Sequence, residues 1–142
     1  MNAAAAINIL TVLAGVDKPA FKCVPKAKAQ AWVTNGKTIY VSDGLMRQLN
    51  NEDEAAFFLA HELGHIALGH TTLWARFLAA RNTGRELAAD AHAIRLMRDK
   101  GYNTSRIPWL FDRLMVTKSG KALREMAARK AAILNIIEGV ST

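Results

Sequence analysis

Cysteine is nearly absent: Cys23 is the single one in 142 residues, so no internal disulfide can form and no Cys-x-x-Cys pair exists for a metal or redox couple. Any metal must be held by histidine and carboxylate. A long hydrophobic run is missing too. The most apolar stretch, Ala3 to Val16, is broken by Asn8 and Thr11 and falls short of the ~20 residues that cross a bilayer. No Lys or Arg precedes it, which leaves out the basic opening of a secretory signal. The stretch reads as a buried helix and the chain as cytoplasmic. Internal repeats and low-complexity tracts are lacking beyond the alanines at 3–6. Acidic residues are the minority charge, 12 against 19 Lys+Arg, and the resulting +7 favours anionic partners without choosing among them.

Apolar residues are plentiful. At 51% hydrophobic and 22% charged, the chain has enough apolar surface to offset the entropy of ordering its backbone, so disorder is excluded. Its length suits one domain, 1–142, with a single core. Lys18 to Lys28, carrying Pro19 and Pro25, reads as an irregular connection within that domain. Ala31-Trp-Val-Thr and Lys37-Thr-Ile-Tyr-Val-Ser flank Asn35-Gly36, a dipeptide that tolerates positive φ, and together they predict a β-hairpin. Asn51, followed by Glu52, Asp53 and Glu54, is a helix start, with a capping oxygen and acidic groups at the positive end of the dipole; the helix should run to about Gly69. Further helices are expected over Thr72–Arg81, Gly84–Lys100, Ser105–Val116 and Lys121–Glu138. The fold class is therefore α+β, mainly helical with a small antiparallel hairpin or sheet.

The chemistry concentrates in His61-Glu62-Leu63-Gly64-His65. Four residues apart on a helix, the histidines project within ~40° of each other and one turn apart, which lets two imidazoles hold one zinc. Glu62 lies beside both, where it can accept a proton from a water activated by the metal. Ala55-Ala-Phe-Phe-Leu-Ala before the motif and Ile66-Ala-Leu after it make the helix otherwise apolar, so these polar groups need a shared partner. A catalytic zinc also wants a third protein ligand. His70 is turned ~140° from His65 on a continuous helix and does not fit the HExxHxxGxxH spacing. His92 is ~240° from Glu86 and points elsewhere. Glu86 and Asp90 share a face of the next long helix and suit one ligand plus one carboxylate behind it; the blander role for them is an acidic edge paired with Arg81 or Arg85.

His61-Glu-Leu-Gly-His65 with Glu86-Leu-Ala-Ala-Asp90, preceded by Ile39-Tyr-Val-Ser-Asp-Gly-Leu-Met and Asn51-Glu-Asp-Glu-Ala, resembles the gluzincin metallopeptidases that include HtpX and the CAAX prenyl protease. The resemblance spans roughly residues 30 to 105. It implies a zincin-like hydrolase domain with one zinc bound by His61, His65 and Glu86, Glu62 as general base in hydrolysis of internal peptide bonds, and Asp90 orienting a ligand histidine. It also implies a peptide or protein substrate, aligned by backbone pairing on the edge strand near Ala31 to Thr34, and leaves room for a regulatory protein partner. Two features depart from the family. Its downstream His-Pro pair is missing, with Ile107-Pro108 the nearest candidate, and Arg124 and Arg129, the alternative stabilisers of an oxyanion, read as a solvated helix face. The membrane-spanning helices of many relatives are also missing.

Two other readings have their own residues. Leu59-Ala-His-Glu-Leu-Gly-His is similar to the helix of the repressor-cleaving metallopeptidases of mobile elements, although Ala89-Asp90 and Gly44-Leu-Met favour the first family. A zinc-stabilised basic binding module without peptidase activity would use the run from Arg95 through Arg106, Arg113 and Arg124 to Lys130 on nucleic acid or an anionic membrane surface, but such charge is usually a solvated helix face. Cys23 reads as a buried or incidental thiol, a reversible block on the metal being the sharper alternative.

Overall fold

A computed structural model describes residues 1–71 and 83–139. Helix α1 (Ala3–Ala14) starts where the Asn2 side chain accepts from the Ala5 amide at 2.8 Å. Its buried residues Ala6, Ile9, Leu10 and Leu13 follow helical spacing and form one stripe, while Ile7 and Val12 are exposed, so the expected buried helix covers one face only. The helix expected over Thr72–Arg81 lies outside the described residues. Among the described residues no helix is long and apolar enough to cross a membrane.

The hairpin forms as the dipeptide requires: β2 (Ala31–Thr34) and β3 (Thr38–Ser42) pair antiparallel around Asn35 at φ 47° and Gly36 at φ 68°. Trp32 stacks on Tyr40 across the two strands, their ring centroids 5.3 Å apart. The segment expected to be an irregular connection instead contains β1 (Ala20–Val24), parallel to β3. Pro19 and Pro25 bound this strand without interrupting it, which proline tolerates on an edge. The sheet is thus mixed, ordered β1-β3-β2, and leaves β2 at an edge.

A short helix α2 (Asp43–Gln48), not anticipated, begins where the Ser42 hydroxyl accepts from the Leu45 amide at 3.2 Å. Next come α3 (Glu52–Ala67), α4 (Thr83–Asp99), α5 (Ile107–Met115) and α6 (Gly120–Ile137). Helix α3 is the central element. It packs on α1, β2, α4 and α5, and its Phe57 meets Phe111 of α5 edge to face with centroids 5.7 Å apart.

Glu54 fastens the start of α3 to α5. Asn51 accepts from the Glu54 amide at 2.9 Å, Glu54 accepts in return from the Asn50 amide at 2.9 Å, and Arg113 grips both carboxylate oxygens at 2.6 and 2.9 Å. Burial disfavours the Glu54 charge, but the guanidinium and the Asn50 amide outweigh it and hold the carboxyl below its usual range. Its contribution to stability is therefore present above the ordinary glutamate pKa of ~4.3 and is lost as pH falls through the lower value in the folded protein. Glu54→Gln should cost about 1–2 kcal/mol at pH 7, less than a fully buried pair because Arg113 is half-exposed. Denaturant titrations should show that gap closing below about pH 4. Equal stability of the two proteins at pH 7 would refute the role of the pair.

Candidate metal centre

Helices α3 and α4 approach closely enough to bring their polar residues together. Gly64, inside the His-Glu-x-x-His run, makes this feasible: a Cβ there would stand 3.0 Å from the Ala89 carbonyl oxygen and 3.3 Å from the His92 Cβ. Across this junction His61 Nε2 lies 2.9 Å from Glu86 Oε2, His65 Nε2 lies 3.4 Å from Glu86 Oε1, and the two histidine Nε2 atoms are 3.0 Å apart. One ligand atom from each of His61, His65 and Glu86 lies within 4.8 Å of the others. His70 and His92 are not in this group.

Asp90 stands behind the cluster, at 1% exposure. Its Oδ1 is 2.8 Å from His61 Nδ1, so that nitrogen donates to Asp90 and Nε2 is the one left to face Glu86 and His65. Of the two acidic candidates, Glu86 therefore lies in the cluster and Asp90 behind it, bonded to His61. Arg129 of α6 in turn clasps Asp90, Nε to Oδ2 at 2.8 Å and Nη2 to Oδ1 at 2.9 Å. This corrects the solvated-face reading of Arg129, whose side chain is 17% exposed, whereas Arg124 is exposed as expected. The run of basic residues is partly consumed in the same way, with Arg98 on the last carbonyls of α6, Arg113 on Glu54 and Lys130 on Asp112.

His70 is brought back to the site by the end of α3. The helix stops at Ala67, Gly69 turns with φ 75°, and the His70 amide donates to the His65 carbonyl at 2.8 Å. Its ring nitrogen Nδ1 then lies 2.9 Å from His65 Nδ1. Cys23 is exposed, not buried, and its thiol contacts Asp43 at 3.0 Å.

The electrostatics of the cluster call for a cation. Burial opposes a charge on His61, yet its bonds to Asp90 and Glu86 push its pKa up to about 9. Burial likewise opposes the charges on Glu86 and Asp90, but His61, His65 and Arg129 hold the Glu86 carboxyl, and Arg129 and His61 the Asp90 carboxyl, below their usual range. Glu62 shifts the other way, because burial outweighs the neighbouring histidines and raises its carboxyl. Two imidazoles and a carboxylate from two helices, with an acceptor fixing one ring, make a donor set that suits zinc.

The model of peptidase family M48 matches residues 5–80, more than half of the chain. This chain belongs to peptidase family M48. Members of that family are metallopeptidases that typically use zinc, and the donor set found here is compatible with that metal. The matched region begins within α1, contains the sheet and the whole His61–His65 motif, and ends before Glu86 and Asp90, whose place beside the motif comes from the packing of α4. No significant match is found among curated proteins.

Proposed function

We propose that this M48 domain is a zinc endopeptidase of the HtpX and CAAX prenyl protease type, cutting internal bonds of a peptide or protein. The observation that carries this reading is the convergence of His61, His65 and Glu86 within 4.8 Å, with Asp90 on the far nitrogen of His61. When bound, zinc supplies a Lewis acid and an acidified water. His61, His65 and Glu86 hold the metal. Asp90 keeps His61 in the tautomer that offers Nε2, and His70 does the same for His65 by accepting from its Nδ1–H. Arg129 keeps Asp90 ionised and aligned. Glu62 takes the proton of the attacking water and passes it to the leaving amine. Strand β2, at the sheet edge, aligns the extended substrate by main-chain pairing.

The zinc-loaded protein should cut casein at internal bonds, lose that activity to a chelator and regain it with added zinc. Release of single residues from chain ends would make it an exopeptidase, and no cleavage at all would defeat the proposal.

A further inference from the structure

A cavity of about 270 Å³ adjoins the site, and Glu86 forms part of its wall together with Lys118, Ala122, Glu125, Met126 and Arg129. That volume lies just under the range of small-molecule pockets and suits one side chain better than a cofactor. Most charges around it are already committed. Glu86 faces His61 and His65, Glu125 meets Lys121 at 3.7 Å, and Arg129 is fastened to Asp90 through Nε and Nη2. Two cationic donors are left over, beside the hydroxyl of Thr83. Lys118 is exposed and has no ion-pair partner among the described residues. Among the described residues Arg129 Nη1 meets the Met126 sulfur, at 3.6 Å, a weak acceptor.

We infer that this cavity is a subsite for an acidic side chain of the substrate, with Lys118 and Arg129 Nη1 meeting its carboxylate and Ala122 and Met126 its methylenes. The inference rests on the peptidase reading, because a peptide held at the metal centre is what places a side chain beside Glu86. A lysine would meet Lys118 and Arg129 as like charges, and a neutral residue would leave their charges uncompensated. The chain's +7 further favours an anionic segment on approach.

Binding to zinc-loaded Glu62→Gln protein, which should not turn substrate over, tests this directly. The probes are fluorescein-labelled peptides that differ only by Glu, Gln or Lys at one scanned position. At one position the Glu peptide should bind about three- to fivefold tighter than the Gln peptide, an advantage that shrinks as salt is raised. Adding Lys118→Glu should abolish the Glu preference and move it to the Lys peptide. No measurable binding, equal binding at every position, or a Glu preference that survives Lys118→Glu overturns the inference. The two readings fail separately. Wild-type protein that cuts substrates without acidic preference removes the subsite alone; a Lys118-dependent Glu preference in wild-type protein that cuts nothing removes the peptidase reading alone.

Discussion

Glu62→Gln should leave the fold and the bound zinc unchanged and lower peptidase activity by about a hundred- to ten-thousandfold. The residue is 6% exposed, on the same helix turn as His61 and His65, and outside the three-donor cluster. Burial raises its carboxyl toward the pH at which a base is most effective, while the two histidines restrain the shift. An amide of the same shape preserves packing and loses the one property the reaction needs, the ability to take a proton. A binding module would be nearly indifferent to the change. Equal casein cleavage by the two proteins, each carrying zinc, would remove Glu62 from the mechanism.

Asp90→Ala should have two separate effects. Without its acceptor, His61 loses the bond that fixes its ring and tautomer, and zinc affinity or activity should fall by about 10 to 100-fold. Arg129, 17% exposed, would also keep its charge with only the more distant Glu86, 3.9 Å from Nη2, to offset it. Removing one partner of such a buried pair costs about 3–5 kcal/mol, so the variant should melt well below the wild type. Asp90→Asn separates the effects, because the amide oxygen can still accept from His61 while the charge that holds Arg129 is gone. It should retain more zinc affinity than Asp90→Ala and still lose stability. An alanine variant with full zinc affinity and an unchanged melting temperature would show that Asp90 neither orients the histidine nor anchors the arginine.

What could be read from the sequence was what adjacent residues decide. Asn35-Gly36 dictates its turn, Asn51 caps its helix, and four-residue spacing puts His61 with His65 and Glu86 with Asp90. Contacts between distant segments were hidden. Strand β1 exists because it pairs with β3 far along the chain, and its largely exposed run between two prolines, without strict alternation, carries little local signal. The ion pair of Arg129 with Asp90 joins residues 39 positions apart, and a lone arginine on an amphipathic helix resembles any solvated one. His70 escaped for a geometric reason. Helical spacing sends it away from His65, but the helix ends first and Gly69 turns the chain back. Its exclusion from the donor cluster and its contact with His65 are therefore both features of the structure.

Zinc content tests the central claim most directly, since the ligand set is the part on which the chemistry depends. Elemental analysis of protein purified with ample metal should give one zinc per chain, lost in both His65→Ala and Glu86→Ala while their circular dichroism remains that of a folded helical domain. A wild-type protein without zinc, or variants that retain it in full, would contradict the assignment.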